Sequence, residues 1–254
     1  MKPKHYEVEK PADNLTKSTF DFQSVLDYLK STEAEMEEIK LDSELIDKAI
    51  RVSRNVLLYK DGDLKYILKE INFHEPGTLS YHRSRNIFKE FRVIKRHRSE
   101  FYEMSKFYTI RKDTKTIYIV YNYYHHSLAN FIKGHNLDFT NKMSLMKNLL
   151  EAVLVTHING VILLDLSIHS IRFSSDTFAM LLCSFGNCID MSSEYDVERS
   201  SIIDRNSYTV HTAPEIMLRR IDDISWHSDI WSLGIILSKV FSDTIYDISK
   251  EEIT

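Results

Sequence analysis

The side chains best placed to do chemistry gather in one stretch, Gly160 to Gly186, which reads GVILLDLSIHSIRFSSDTFAMLLCSFG. Asp165 stands there between two leucines, where a carboxylate can take up a proton. Ser170 and Ser184 contribute only neutral hydroxyls. Hard cations bind through several oxygens that carry charge among them, so a hydroxyl is a weak substitute ligand. The chain has 2 cysteines, Cys183 and Cys188, too few for a four-ligand zinc set. The pair His125-His126 has no third ligand at metal spacing, so no metal is expected, and each cysteine reads as a small buried hydrophobe.

Composition bounds the frame that holds this stretch. With 254 residues, 43% hydrophobic and 28% charged, the chain can bury one or two cores as a single bilobed unit. A net charge of −4 gives no reason to expect a nucleic-acid or membrane surface. No apolar run reaches the ~18 residues that span a bilayer. The N-terminus, MKPKHYEVEKPADN, is polar and unlike a secretory signal, so a cytoplasmic location is expected.

In chain order, residues 1–19 read as a loose tail. A short helix is expected from Phe20 to Leu29, capped by Ser18 or Thr19, with Phe22, Val25, Leu26 and Leu29 inward. A second is expected between Ser31 and Ile50, where Leu41, Leu45, Ile46, Ala49 and Ile50 keep helical spacing. Both are expected to pack on their own domain. Residues 51–73 predict three short strands, with Lys60-Asp61-Gly62-Asp63 as a hairpin turn. A helix from about Arg85 to Arg98 has Ile87, Phe91 and Ile94 inside, and its many basic residues read as a solvated face. Phe107–Ile110 and Ile117–Tyr121 predict an antiparallel pair. Beyond Ser127 the chain turns helical, chiefly over Asn141–Ile158, where Met143, Met146, Leu149, Leu150, Val153, Leu154 and His157 are expected in the core.

The segments Leu164-Asp165-Leu166, Ser184-Phe185-Gly186, Ala213-Pro214-Glu215 and Ser228-Asp229-Ile230-Trp231-Ser232-Leu233-Gly234 follow one another at the intervals of a protein kinase. From about Arg51 onward the chain resembles that family, and specifically a pseudokinase. The resemblance implies an α+β, bilobed fold: a small β-rich lobe with one helix over about 51–121, and a larger helical lobe over about 125–254. Residues 1–50 precede this domain. It places the catalytic base at Asp165 and the two magnesium positions at Ser170 and Ser184, both without carboxylate or amide. The histidine and arginine of the catalytic loop fall on Leu163 and Leu164. The glycines of the phosphate loop fall on Arg51, Ser53 and Val56, none of them glycine. Lys69 takes the place of the phosphate-binding lysine and Glu90 that of its helix partner, a weak nucleotide site or a structural strut. Tyr121 takes the position that narrows the back of the adenine pocket, and Tyr121 to Tyr124 form the hinge. The aspartate of the Asp229 segment is expected to hydrogen-bond the catalytic-loop backbone.

A kinase large lobe continues for several helices past that segment, whereas this sequence stops at Thr254. The resemblance therefore implies a lobe truncated at its C-terminal end. Glu215 then needs a partner other than the usual arginine, or faces solvent. Ile235, Ile236, Leu237 and Val240 need cover from the N-terminal segment, a second chain, or nothing. Within the superfamily the chain is similar to the mixed lineage kinase domain-like pseudokinases of necroptosis and to their shortened poxvirus homologues. That likeness implies a catalytically inactive protein-binding module, without cofactor, that sequesters a host receptor-interacting kinase and inhibits necroptotic cell death. It implies no nucleic-acid, membrane or small-molecule partner. A nucleotide-binding switch and a weakly active serine/threonine kinase using Asp165 are the alternatives.

Overall fold

The computed structural model describes residues 20–31, 37–74, 78–105, 107–124, 126–173, 180–183, 185–192 and 208–242. The tail, Ser184 and residues 193–207 and 243–254 lie outside the described residues. The first helix, α1 (Phe22–Ser31), buries Val25, Leu26 and Leu29. Its cap is Asp21, whose carboxylate accepts the Ser24 amide at 2.8 Å. Of the helix expected between Ser31 and Ile50 the described residues form a shorter one, α2 (Ser43–Asp47), preceded by β1 (Glu37–Glu38). The Asp42 carboxylate accepts the Glu44 amide at 2.8 Å and starts a new helix at that point. The acidic residues before it have no apolar face to bury, so their backbone pairs with a strand edge.

That strand belongs to a six-stranded sheet in the order β1-β5-β6-β4-β3-β2. Its members are β2 (Ile50–Ser53), β3 (Val56–Asp61), β4 (Leu64–Ile71), β5 (Phe107–Arg111) and β6 (Thr116–Asn122). Gly62, at φ +56°, supplies the left-handed position that the turn between β3 and β4 requires. One face of the sheet buries Leu57, Tyr59, Leu68, Tyr118 and Val120 under Ile46 of α2. The other face buries Ile71, Ile117, Ile119 and Tyr121 with α1 and with α3 (Leu79–His97).

Helix α3 starts six residues before the expected point because the Thr78 hydroxyl caps it, accepting the Tyr81 amide at 3.2 Å. Its basic residues are not a simple solvated face. Lys89 donates to the Cys188 carbonyl at 2.6 Å, Arg92 lies over the Tyr28 ring at 5.7 Å, and Arg96 reaches Asp190 at 2.7 Å.

The helical lobe contains β7 (His126–Ser127), α4 (Leu128–Gly134), α5 (Phe139–Ile158), β8 (Val161–Ile162), β9 (Ile171–Phe173), β10 (Met180–Leu182), β11 (Ile189–Asp190), α6 (Pro214–Met217) and α7 (Trp226–Phe241). One core joins α3, α4, α5 and α7 through Ile94, Tyr102, Leu163 and Phe185. Helix α5 buries Leu145, Leu149, Ala152, Val153 and Thr156. Met143, Leu150 and Leu154, expected in this core, face solvent, because the helix is apolar on two sides and packs with only one. On α7, Ile236 and Val240 are buried by the lobe itself, and Ile235 and Leu237 are half-buried. Glu215 finds a partner in the Ser228 hydroxyl, which donates to its carboxylate.

Asp229 fixes the loop that precedes β9. Fully buried at 0% exposure, its carboxylate accepts the amides of Leu163 and Leu164 at 2.8 Å each and contacts His157 Nε2 at 2.9 Å. Leu164 sits at φ +61°, a conformation that costs a non-glycine residue of order 1 kcal/mol. The two bonds fix the backbone that leads directly into that φ angle. Asp229→Ala, which orphans two buried amides, is expected to cost about 3–5 kcal/mol of stability. Asp229→Asn, which keeps an acceptor oxygen, is expected to cost less. Urea unfolding midpoints measure both.

Candidate functional site

The cleft between sheet and helical lobe is built around Lys69. Strand β4 alternates, so Ile67, Lys69 and Ile71 share the face that meets α3. Glu90 lies on the buried side of α3, and the Lys69 ammonium bonds its carboxylate. Lys69 is 13% exposed and Glu90 7% at the side chain, so the pair is screened little by water. The Lys69 nitrogen also stands 4.5 Å from the centre of the Tyr121 ring, and the Tyr121 hydroxyl donates to Glu90 at 3.4 Å. Burial pulls the Lys69 ammonium towards neutrality, but Glu90 and Glu103 outweigh it and hold the charge firmly on.

Glu103 was not visible as a site residue in the sequence, since no motif marks it. Its backbone amide donates to the Leu182 carbonyl at 3.1 Å, which brings the segment before β5 alongside β10. The side chain, in a residue 5% exposed, hydrogen-bonds Cys183. Burial raises its carboxyl, and the nearby Lys69 opposes that shift. Burial likewise keeps the Cys183 thiol protonated, which makes it a poor nucleophile. Lys69, Glu90, Glu103, Tyr121 and Cys183 therefore satisfy one another. An incoming phosphate would compete with two buried carboxylates for one ammonium.

The loop carrying Asp165 is also tied into the protein. The Asn187 amide donates to the Asp165 carboxylate at 3.0 Å and accepts from Asn86 of α3 at 3.1 Å. Gly186 lets this contact form: a Cβ there would lie 2.9 Å from the Asn86 carbonyl oxygen. Ser170 faces its own loop. Its hydroxyl accepts the Ser167 amide at 2.8 Å and lies 3.0 Å and 3.2 Å from the Ser167 and Asp165 carbonyl oxygens. This hydroxyl closes a turn, and a divalent ion placed on it would gain one neutral oxygen already engaged. Among the described residues no group of three His, Cys, Asp or Glu side chains gathers as a metal cage. The described residues do not fit a magnesium site; Ser184 lies outside them.

The hairpin over the cleft is pinned as well. Asn55, in its turn, donates to the Glu70 carbonyl at 3.0 Å, and its own carbonyl accepts the Glu70 amide at 2.8 Å. Arg51 crosses to the Glu70 carboxylate at 3.3 Å, and Val56 pairs with Lys69 in the sheet. Arg51, Ser53 and Val56 thus form a side-chain-bearing strand pair drawn towards β4.

Two further titratable groups escaped the sequence reading. Asp190, buried on β11, receives Arg96 at 2.7 Å, His97 at 3.1 Å and the Ser192 hydroxyl at 2.6 Å. Burial opposes its charge, but these donors hold the carboxyl well below its ordinary value. It clamps the end of α3 to the helical lobe. His211, 6% exposed, has an Nε2 without a hydrogen-bond partner among the described residues. Burial, helped by Lys239 and His169, lowers its pKa to about 4.

Residues 54–253 match the protein kinase domain family. A serine/threonine-protein kinase PLK4 of Nematostella vectensis is 30% identical over 138 residues, 51% of this chain and 13% of that protein. The aligned part is thus a small share of the relative's length. No helix of the described residues is long and apolar enough to cross a membrane.

Lys69→Met leaves Glu90 buried without its cation and is expected to lower stability by about 3–5 kcal/mol. The double variant Lys69→Met/Glu90→Leu should regain more than half of that loss, read from thermal or urea unfolding. A second expectation concerns pH. A histidine with a folded pKa below its unfolded value of about 6.5 contributes nothing unfavourable above that pH. Stability should then fall from pH 6.5 towards pH 4, by about 3 kcal/mol for His211. His211→Phe should flatten this limb in unfolding measured across the range.

Proposed function

Because the chain belongs to the protein kinase domain family, we propose that it is a catalytically inactive member that works as a protein-binding module. In this reading it is a cytoplasmic decoy that sequesters a host receptor-interacting kinase and inhibits necroptotic cell death. One observation carries the loss of catalysis: the polar groups that should meet nucleotide are paired with each other. Lys69 is held by Glu90 beside Glu103, Asp165 by Asn187, and Ser170 by its own loop. The Lys69–Glu90 pair alone does not support that loss, since an active kinase needs the same pair; the support comes from Ser170, a neutral hydroxyl closing its own turn where a metal ligand is expected, and from Glu103 as a second acid beside the lysine.

Binding does not need that cleft. A protein partner is engaged across a patch of order 1,600 Å². The exposed side of α3 at His82 and Arg85, the hinge at Tyr123 and Tyr124 and the described residues 187–192 offer such a surface, and the rest of the loop expected to take part, 193–207, lies outside the described residues. Assembly of α3 against the lobe through Asp190 and Asn86 keeps that surface in one arrangement without nucleotide.

Two other readings have a specific observation behind them. The Lys69–Glu90 ion pair favours a metal-independent nucleotide switch, and Asp165, with the similarity to a serine/threonine-protein kinase, favours a weakly active serine/threonine kinase. Purified protein with magnesium and ATP is expected to transfer no phosphate, and a fluorescent ATP analogue is expected not to bind below millimolar concentration. It should retain the purified kinase domain of a receptor-interacting kinase, more weakly after Arg85→Glu. Turnover lost in Asp165→Ala would replace the reading with the active kinase. Nucleotide binding lost in Lys69→Met would replace it with the switch. Failure to retain the kinase while phosphate transfer stays absent removes the decoy role alone.

A further inference from the structure

The solvent side of α5 carries an apolar stripe with no part in the cleft. Phe139, Met143, Leu150, Leu154 and Ile158 are 71%, 38%, 42%, 57% and 74% exposed. Together with Lys147 they recur at intervals of 4, 4, 3, 4 and 4 residues. At 3.6 residues per turn, all six fall within an arc of about 100° and extend for about 28 Å along the helix. Exposed Thr140, Ser144 and Glu151 border the stripe on one side.

The interval series reads the same in both directions, and this decides what fits it. A two-fold interface brings one patch against itself, so residue i meets j and j meets i. An antiparallel copy centred between Lys147 and Leu150 sets Phe139 against Ile158 of the second copy, Met143 against its Leu154, and Leu150 against its Lys147. The charges on the stripe agree with that pairing. Lys147 now bonds Glu151 of its own helix at 3.8 Å, with side chains 73% and 49% exposed. In the antiparallel pair Glu151 of the second copy arrives beside Lys147, so each lysine meets a carboxylate while its stem covers apolar surface.

We propose that α5 is the contact surface of a homodimer in which a second copy of this chain packs antiparallel along the stripe. The contact is a helix pair crossing at a shallow angle near 20°. It buries of order 1,000 Å² in total, at the lower end of specific interfaces, the class of weak and transient contacts. It stands independently of the decoy reading, and where both hold, each dimer presents two copies of the partner-binding surface.

Sedimentation equilibrium of the full chain at about 10 to 200 μM is expected to show a monomer–dimer equilibrium, the concentration range following from the weak interface class. Leu154→Glu should abolish it, with the circular dichroism spectrum unchanged because Leu154 is exposed. Lys147→Glu should weaken it at least tenfold, and Lys147→Glu/Glu151→Lys should restore it. Mixed Met143→Cys and Leu154→Cys proteins should cross-link to each other far faster than either does to itself. A monomer throughout the range overturns the proposal. So does a dimer that survives Leu154→Glu, or one whose cysteines cross-link 143 to 143.

Discussion

Everything on the helical side of the cleft is placed by one buried carboxylate. Asp229 arrives on α7, with no water to solvate it, and finds two backbone amides and a histidine. A carboxyl group with that burial needs partners, and the consecutive amides of Leu163 and Leu164, just before the positive φ of Leu164, supply two. Asp165 and the turn closed by Ser170 hang from that conformation. Through Asn187 they reach α3, and through Ile94, Tyr102, Leu163 and Phe185 the two lobes share a core. The frame therefore depends on an interaction that is indifferent to catalysis. Loop geometry can persist when the residues it presents have changed.

The same indifference describes the cleft. A lysine in a buried sheet face needs a counter-ion whether or not phosphate ever arrives, and Glu90 provides it. The buried acid Glu103 also adds to the field at that ammonium, and the Tyr121 ring stands 4.5 Å from it. Their arrangement lowers the electrostatic reward for an anion and fills the space behind the lysine. Rigidity comes from the protein's own pairs.

Much of this was legible in residue types at short range. The Asp-Gly turn predicts the β3–β4 hairpin because only a small set of residues tolerates positive φ there. Lys69, Glu90 and Asp229 were legible through the resemblance to a protein kinase, whose motifs place a residue of that type at each position. Glu103 and Asp190 were not, because their partners come from other elements and only the packed structure decides that both are buried. The basic residues of α3 misled for a related reason: averaged as a charge run they suggest solvent, yet Lys89, Arg92 and Arg96 each find a particular acceptor or ring. Helix α5 is apolar on two sides, so its period announced a helix without saying which side is inward. Between 31 and 50 the spacing of apolar residues announced a helix that packs on its own domain, but not that Asp42 caps it only at Ser43 or that it lies on the outer face of the sheet.

The position of α1 has a consequence for how the chain is made. Its apolar residues Val25, Leu26 and Leu29 are translated early, yet the surface that receives them includes Ile117, Ile119 and Tyr121, about ninety residues later. At a synthesis rate of about 5–20 residues per second, that face waits on the order of 5–20 s before its strands exist. A helix of 10 residues does not hold its structure alone in water for that time. Growth of the nascent chain thus passes through an interval in which an early apolar segment is unburied, and the first lobe closes only after its last strand has left the ribosome. The sheet's long-range pairing makes this lobe slow to fold.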